Sequence, residues 1–385
     1  MTGIKKNSFT RIKSAGFTII NFGIALIFLS CAGNSGIVAQ QIAIDTTIQH
    51  PLGNDTIPVK NDTISVVATG DIMLGSAYPK PTALPPDDAK GSFKHVIPFL
   101  KGDVVFGNLE GCFLNQGKST KCKDTTGNSC FAFRMPERYA SIYKDAGYNL
   151  LSMANNHVGD FGSAGRKRSA ELLDSLHINY GGLLSHPYTI FEKDSIKYAF
   201  CAFSPNDYTL PINNIDSATQ LVSFLKEKAD IVIVSFHGGA EGAAYEHIPK
   251  TNEIFYQENR GDVYAFSHAV IDAGADLVLG HGPHVTRAVE VYKNKFIAYS
   301  LGNFCTFGQF NLSGPNGFAP LLNIKMNSKG DFLYADVVSV KQSKTSRLTL
   351  DTAQTAFKKI VSLTNTDFQG HQLLFSNQQI RLKGN

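Results

Sequence analysis

Residues 64–75 read ISVVATGDIMLG, an apolar run that is followed at once by Gly70 and Asp71. The run from 64 to 69 has the length and the β-branched content of a buried strand. A carboxylate placed directly after a buried strand is held rigidly, as a metal ligand must be. The alternative is an aspartate in a turn that is stabilised by its own backbone.

Four further polar clusters follow stretches that read as strands. Because the carboxyl ends of parallel strands meet at one edge of an α/β sheet, where ligands bind, we expect all five clusters to converge. Carboxylate, amide and imidazole groups gathered there indicate a site for hard or borderline divalent cations. The four clusters are Gly107-Asn108-Leu109-Glu110, Asn155-Asn156-His157, His237-Gly238-Gly239 and Gly280-His281-Gly282-Pro283-His284.

Strand-like and helix-like stretches alternate from residue 63, which predicts an α/β domain. Two hairpin patterns, with turns at 293–295 and 328–330, predict antiparallel strands in the C-terminal part. The predicted strands are 64–69, 103–107, 149–153, 178–181, 196–203, 230–236, 276–280 and 296–300, and the predicted helices are 92–100, 137–146, 163–176, 217–228, 262–273 and 353–361.

The predicted organisation is an export signal at 1–39, a polar linker at 40–62, one domain at 63–345 and a C-terminal tail at 346–385. Three stretches, 75–91, 111–133 and 238–261, are predicted to be long loops. Long loops in a compact domain are often functional, and these are expected to roof a pocket at the strand ends.

The N-terminal segment has a basic start and an apolar stretch from Phe17 to Ser30, too short for a membrane span of about 20 residues. Two processing routes are open: cleavage near 37–39, or acylation of Cys31 in a lipoprotein-type box, which would provide a lipid anchor. An uncleaved anchor is a third alternative. All three place the folded part outside the cytoplasm, in the cell envelope, either in the periplasm or at the outer surface.

The whole formal net charge of +4 comes from four basic residues in this segment, Lys5, Lys6, Arg11 and Lys13. A neutral remainder without clustered Lys and Arg gives no reason to expect nucleic-acid binding.

Among the cysteines, Cys112, Cys122 and Cys130 lie close together in a polar stretch. An exported chain permits disulfides, so we predict one bond within this trio and favour Cys122–Cys130. Cys201 lies in an apolar run and is predicted to be a core residue.

Several clusters contain groups suited to proton transfer. His157 is placed to donate a proton to a leaving group, and Asp160 to orient its ring. The alternative is a polar helix entry capped by asparagine. For Glu110 the alternative is a solvated loop acid, and for His237 a satisfied core histidine.

Six motifs, in order along about residues 64 to 340, resemble the bacterial capsule-synthesis family of the CapA type. Members of that family are associated with poly-γ-glutamate capsule formation, and the family is similar to the calcineurin-like metallophosphoesterases. The motifs are Gly-Asp-Ile-Met-Leu-Gly (70–75), Gly-Asn-Leu-Glu (107–110), Asn-Asn-His-x-x-Asp-x-Gly (155–162), His-x-Gly-x-Glu (237–241), Gly-His-x-Pro-His (280–284) and Tyr-Ser-Leu-Gly-Asn-Phe (299–304).

The resemblance implies a calcineurin-like four-layer α/β/β/α sandwich. It also implies one or two divalent metal ions (Mn, Zn, Fe or Mg) at the strand ends, with His157 and Asp160 in catalysis. The implied metal ligands are Asp71, Glu110, Asn156, His237, His281 and His284.

Three residues depart from the motifs of these families. Met73 stands where phosphoesterases have the histidine of Asp-x-His, so one nitrogen ligand is lost and one metal should bind weakly or be absent. Gly238 and Gly282 stand where the capsule family usually has Trp and His.

Three functions remain open. The first is an exported metal-dependent hydrolase that acts on a phosphoester or on an anionic surface polymer. The second is a non-catalytic subunit that binds or tethers such a polymer and assembles with membrane synthetase subunits. The third is a plain extracellular binding module. The residues predicted to contact substrate are Arg134, Glu241, Arg287 and Asn303.

Overall fold

The computed structural model describes residues 63–122, 130–344 and 346–384. The predicted export signal and linker, and Cys31, lie outside the described residues. The strands are β1 (Thr63–Met73), β2 (Val104–Leu109), β3 (Cys112–Phe113), β4 (Arg134–Met135), β5 (Leu150–Ser152), β6 (Asn179–Gly181), β7 (Tyr188–Lys193), β8 (Ile196–Ser204), β9 (Leu210–Pro211), β10 (Ile231–His237), β11 (Ile254–Phe255), β12 (Glu258–Asn259), β13 (Leu277–His281), β14 (Val289–Tyr292), β15 (Lys295–Ala298), β16 (Asn303–Thr306), β17 (Phe318–Asn327), β18 (Phe332–Lys341), β19 (Thr349–Leu350), β20 (Leu373–Ser376) and β21 (Gln379–Leu382).

Five α-helices accompany these strands in the described ranges, and short 3-10 helices are found at Ile97–Phe99, Glu137–Tyr139, Ala243–Tyr245 and Gly314–Gly317. The α-helices are α1 (Ala140–Ala146), α2 (Gly162–Ser175), α3 (Ile215–Lys226), α4 (Val263–Asp272) and α5 (Thr355–Asp367).

Strand β1 is central because both of its faces are apolar. Ile64, Val66 and Ala68 belong to the core between the two large sheets, whereas Val67 belongs to the core on the opposite face. Successive side chains of a strand point to opposite faces, so a continuous apolar run is buried on both sides.

Two mixed sheets form the middle of the molecule. The first has the order β20-β21-β18-β17-β1-β2-β5-β6, with β16 paired to β1 and β19 to β18. The second has the order β14-β15-β13-β10-β8-β7, with β9 paired to β8. Strands β1, β2, β5 and β6 run parallel to one another, as do β8, β10, β13 and β15, while β17 and β18 are antiparallel.

Helices cover the outer faces of both sheets. Tyr143 of α1 and Leu173 of α2 pack in the core outside the first sheet. Val222 of α3 and Phe266 of α4 pack in the core outside the second. The four-layer α/β/β/α sandwich with C-terminal antiparallel strands is therefore confirmed.

The carboxyl ends of the parallel strands bring the polar clusters to one edge. Asp71 lies in register with Asn108 across β1 and β2, and His237 with His281 across β10 and β13. The two sheets pack against each other through a shared core. This packing brings the carboxyl ends of β1 and β2 close to those of β10 and β13.

The predicted helix at 92–100 is wrong. Residues 92–96 form turns, and only Ile97–Phe99 is a 3-10 helix. Pro98 explains the difference, because proline lacks the N–H of an internal helical bond and its ring clashes with the preceding turn.

The segment predicted as a tail packs against the domain. Phe357 and Ile360 of α5 and Ile380 of β21 belong to the core between the sheets. The described residues form one compact unit.

The predicted disulfide Cys122–Cys130 is confirmed, and Cys112 is free and buried. Cys201 is a buried residue of β8, as predicted. Across the described ranges, no helix has both the length and the apolar character that a membrane crossing requires.

Candidate metal centre

Three potential ligands converge where β2, β10 and the segment after β13 end. Glu110, His237 and His284 offer ligand atoms that lie within 4.8 Å of one another. His284 Nε2 is 3.5 Å from Glu110 Oε1. In the part of the chain that the structure describes, no other group of three or more His, Cys, Asp or Glu side chains has this geometry.

Buried atoms without partners show that the group fits a cation. Both carboxylate oxygens of Glu110 and Nε2 of His237 are buried and have no hydrogen-bond partner. Oδ1 of Asn156 and Oδ1 of Asn303 are in the same situation. Each unpaired buried polar group costs about 1–3 kcal/mol, and a cation would satisfy several at once.

The charge of Glu110 is poorly accommodated when no cation is bound. Burial raises the pKa of Glu110 well above its ordinary value, and the Asp71 carboxylate raises it further. Burial lowers the pKa of His237 well below its ordinary value, with the Arg260 charge as the next cause. A neutral imidazole and a carboxylate whose ionised form is favoured by a nearby positive charge are suitable ligands for a metal.

Asp71 lies behind His284. Its Oδ2 is 2.8 Å from His284 Nδ1, and its Oδ1 accepts a 2.9 Å hydrogen bond from Asn108 Nδ2. Burial by itself would lower the pKa of His284, but the Glu110 and Asp71 carboxylates raise it to about 10. The structure thus places Asp71 as a partner that orients a ligand; its prediction as a direct ligand stays a prediction.

His284 has a backbone φ of 57°, a left-handed conformation that is rare for a residue with a side chain. Its backbone carbonyl accepts hydrogen bonds from Asn303 Nδ2 and Asn316 Nδ2. These two amides hold the segment after β13 in this conformation, which directs the imidazole toward Asp71 and Glu110.

His157 and Asp160 form the expected pair. His157 Nδ1 is 2.7 Å from Asp160 Oδ2, which also accepts a hydrogen bond from the Phe133 N–H. The Phe133 ring stacks on the imidazole with centroids 3.9 Å apart. Burial lowers the pKa of His157, and the nearby Asp160 charge opposes that shift. The ring is therefore fixed in orientation and neutral near pH 7.

His281 does not join the group. Its Nε2 is 3.1 Å from the Thr69 carbonyl oxygen, and its Nδ1 is 3.5 Å from Ser235 Oγ. Both ring nitrogens thus face protein groups of β1 and β10. Metal ligation by His281 stays a prediction that would require the ring to leave these contacts.

Two arginines predicted to contact substrate are directed elsewhere. Arg287 is fully buried and forms a bidentate pair with Glu253, at 2.8 and 2.7 Å. Arg134 donates to the carbonyls of Gly117 and Ala77. Sequence alone cannot distinguish an arginine that stabilises a loop from one that contacts a ligand, because the difference depends on the partners that the fold brings to each side chain.

A cavity of about 830 Å³ opens beside the group. The predicted substrate residues Glu241 and Asn303 line it, with Asn156, His157 and His284. Its walls come from two of the three long loops, 111–133 and 238–261, while 75–91 does not contribute. The remaining wall residues include Lys121, Phe131, Phe133, Phe255, Tyr256, Glu258, Arg260 and Phe310.

Lys121 was missed from sequence, and the interpretation of Arg260 as one of several scattered surface arginines is wrong, because its side chain is buried. Lys121 Nζ lies 3.4 Å from both His157 Nδ1 and Asp160 Oδ1. The position of Lys121 beside the predicted disulfide was the available signal. Nothing in the local sequence distinguishes Arg260 from a surface arginine.

The departures at Met73 and Gly282 have structural consequences. Met73 is fully buried, and its sulfur accepts a hydrogen bond from the Gly75 N–H, so the site gains no nitrogen ligand there. At Gly282, where φ is 115°, an added Cβ would lie 2.6 Å from the Gly238 carbonyl oxygen. The two glycines therefore let the segments after β10 and β13 approach closely.

A family model described as bacterial capsule synthesis protein PGA_cap matches residues 65–308. The capsule biosynthesis protein CapA of Bacillus anthracis is 28% identical over 273 residues, which cover 64% of this chain and 61% of that protein. The PGA biosynthesis protein CapA of Bacillus subtilis is 29% identical over 265 residues, which cover 63% of each. The chain thus spans less than two thirds of the length of these relatives.

Among solved structures, a hypothetical protein from Thermus thermophilus is similar, with 16% identity and a TM-score of 0.45. The match covers 73% of this chain and all of that protein. At these values the likeness extends to neither substrate nor mechanism.

Proposed function

We propose that this chain, which belongs to the bacterial capsule synthesis protein family, serves in the biosynthesis of an anionic surface polymer and carries a metal-dependent hydrolytic site. The observation that carries the proposal is the group of Glu110, His237 and His284, in which both carboxylate oxygens of Glu110 and Nε2 of His237 are buried without hydrogen-bond partners. The substrate is a phosphoester or the polymer itself.

The residues of the proposed site have separate roles in binding a metal and in catalysis. Glu110, His237 and His284 would hold one divalent cation (Mn, Zn, Fe or Mg), and the amide oxygens of Asn156 and Asn303 line the same cavity. A divalent cation supplies Lewis acidity to an oxygen of the substrate. A single cation agrees with Met73, which removes a nitrogen ligand from the first motif.

His157 is the proton-transfer residue of this proposal. Its Nδ1 is held against Asp160, so the other ring nitrogen would take a proton from the attacking water and then deliver it to the leaving group. Phe133 stacks on one face of the ring and limits its access to water.

Activity assays on protein loaded with Mn, Zn, Fe or Mg test the proposal, with p-nitrophenyl phosphate, its bis ester and poly-γ-glutamate as substrates. We expect His157→Ala to lower turnover by about 10²- to 10⁴-fold while metal content is unchanged. His95→Ala is the matched control, because His95 is exposed and outside the cavity. Loaded wild-type protein that turns over none of these substrates would contradict the hydrolase.

A second function is favoured by the buried Met73 and the incomplete ligand set. In this alternative the chain binds or tethers the polymer within a membrane synthetase complex and does not cleave it. Polymer binding and co-purification with synthetase subunits, in the absence of turnover, would support it.

We also propose that the mature protein lies outside the cytoplasm, in the periplasm or at the outer surface of the cell envelope. The pattern of residues 1–39 supports export, and Cys31 is the site for a lipid anchor. Labelling with radioactive palmitate should mark the wild type and not Cys31→Ser. Equal labelling of both would exclude the anchor at Cys31.

A further inference from the structure

Arg260 is buried in the wall of the cavity and uses only part of its guanidinium. Its Nε donates to the Gly239 carbonyl at 3.0 Å. Its Nη1 lies 3.0 Å from Glu258 Oε2 and 3.1 Å from Glu241 Oε1. Its Nη2 is buried and has no hydrogen-bond partner. Two of the five guanidinium N–H groups, those on Nη2, are therefore unused.

Arg287 is a buried arginine with a structural role, and it serves as a comparison for Arg260. Both of its terminal nitrogens contact Glu253, Nη2 also donates to Ala240, and Nε donates to Tyr245. Arg260 is buried to the same degree, with 1% of its surface exposed. A buried donor without an acceptor is costly, so the unused nitrogen of Arg260 indicates a missing ligand.

The space beside this nitrogen is kept open by Gly282. A Cβ at that position would lie 3.2 Å from Arg260 Nη2, so any side chain there would meet the guanidinium. The cavity that Arg260 lines is also lined by His157 and His284. Arg260 and the candidate catalytic groups thus line the same cavity.

We propose that Nη2 of Arg260 anchors an oxyanion of the ligand, a carboxylate or a phosphoryl group, in this cavity. The inference rests on the proposed function in placing that ligand at the same site, and it adds the chemistry by which the ligand is recognised. A guanidinium N–H donates a charge-assisted hydrogen bond to an oxygen of such a group.

Other groups fit this ligand class. Lys121 provides a second cation in the cavity wall, and Phe131, Phe255 and Tyr256 provide apolar surface for a carbon skeleton. Glu241 and Glu258 offset the charge of Arg260, so recognition depends on directed hydrogen bonds. The two N–H groups of Nη2 diverge, so a ligand oxygen accepts from one of them and the other needs a separate acceptor.

Calorimetric titration of metal-loaded protein with inorganic phosphate and, separately, with glutarate tests the proposal. We expect Arg260→Lys and Arg260→Gln each to weaken binding about 10- to 100-fold. Neither side chain has the Nη2 donor, although lysine retains the positive charge. Arg168→Lys is the matched control, since Arg168 also pairs with two glutamates, Glu137 and Glu171, but lies outside the cavity. The tighter probe identifies the ligand as phosphoryl or carboxylate.

The proposal is overturned if neither probe binds the wild type, or if both bind Arg260→Lys as tightly as the wild type. Arg260→Lys decides the outcome if Arg260→Gln does not fold by circular dichroism. Metal content is measured in the same samples. Loss of metal with Arg260-dependent binding intact would refute the hydrolase alone, and intact metal with Arg260-independent binding would refute the anchor alone.

Discussion

At the scale of single residues, the main feature is the buried carboxylate of Glu110. It has no hydrogen-bond partner and lies beside His284. Burial disfavours the charged form of this carboxylate and so raises the pKa of Glu110. A bound cation would offset that cost. Substitutions here should affect metal binding more than folding.

Glu110→Gln should abolish metal retention, because an amide oxygen without charge is a weak ligand for a divalent cation in a buried site. The stability of the metal-free protein should change by less than about 1 kcal/mol, since the amide has nearly the same shape. Elemental analysis and urea unfolding of the metal-free form measure the two effects. Full metal content in Glu110→Gln would exclude Glu110 as a ligand.

Asp71→Asn should weaken metal binding by about 10- to 100-fold without abolishing it. The reason is that Asp71 contacts His284 Nδ1 and acts on the cation through that ring. Competition with a chelator of known affinity measures the change. If Asp71→Asn loses metal as completely as Glu110→Gln, then Asp71 is itself a ligand.

Metal uptake should release a proton at pH 8. The Glu110 and Asp71 carboxylates raise the pKa of His284 to about 10, so the metal-free ring is protonated at pH 8 and the cation must displace that proton. Apparent affinity should therefore rise with pH and level off above about pH 10. Calorimetry in two buffers of different ionisation enthalpy measures the release, and a buffer-independent enthalpy would contradict it.

At the scale of elements, the loop that carries the disulfide connects two features of the site. Cys122–Cys130 closes a segment next to Lys121, and Lys121 contacts the His157–Asp160 pair. The N–H of Thr120 also donates to the Asp160 carbonyl at 2.8 Å. The loop therefore supports the proton-transfer pair as well as the cavity wall.

Replacing both Cys122 and Cys130 by serine should lower the free energy of unfolding by about 2–3 kcal/mol, the loop-closure value for a sequence separation of 8 residues. Urea unfolding with and without reductant measures it. Reductant should affect only the wild type. An equal effect of reductant on the double variant would assign the stabilisation to another thiol.

At the scale of the whole molecule, the C-terminal segment completes the packing of the two sheets. α5 contributes Phe357 and Ile360 to their shared core, and Thr364 exchanges hydrogen bonds with the backbone of Val289. The chain after residue 345 is thus part of the domain in packing terms.

Ile360→Ala should lower the free energy of unfolding by about 2–5 kcal/mol, because Ile360 is 1% exposed and its loss leaves a cavity. Lys358→Ala, an exposed change on the same helix, should alter it by less than about 0.5 kcal/mol. Urea unfolding of both variants compares them. A negligible effect of Ile360→Ala would show that this segment is only a loose tail.

The amino-acid sequence by itself determined the alternation of strands and helices and the position of each polar cluster at a strand end. Both features depend on local patterns of side-chain polarity, which are present in the amino-acid sequence itself. The helix predicted at 92–100 failed where the pattern of apolar residues was followed and the effect of Pro98 was not.

Only the tertiary structure decided which polar groups share the site. Glu110, His237 and His284 meet, while His281 turns to Thr69 and Arg287 to Glu253. Arg260, which no motif marks, keeps an unused nitrogen in the cavity wall. The physical reason is that hydrogen-bond satisfaction depends on partners from distant segments, and those partners become neighbours only when the two sheets pack.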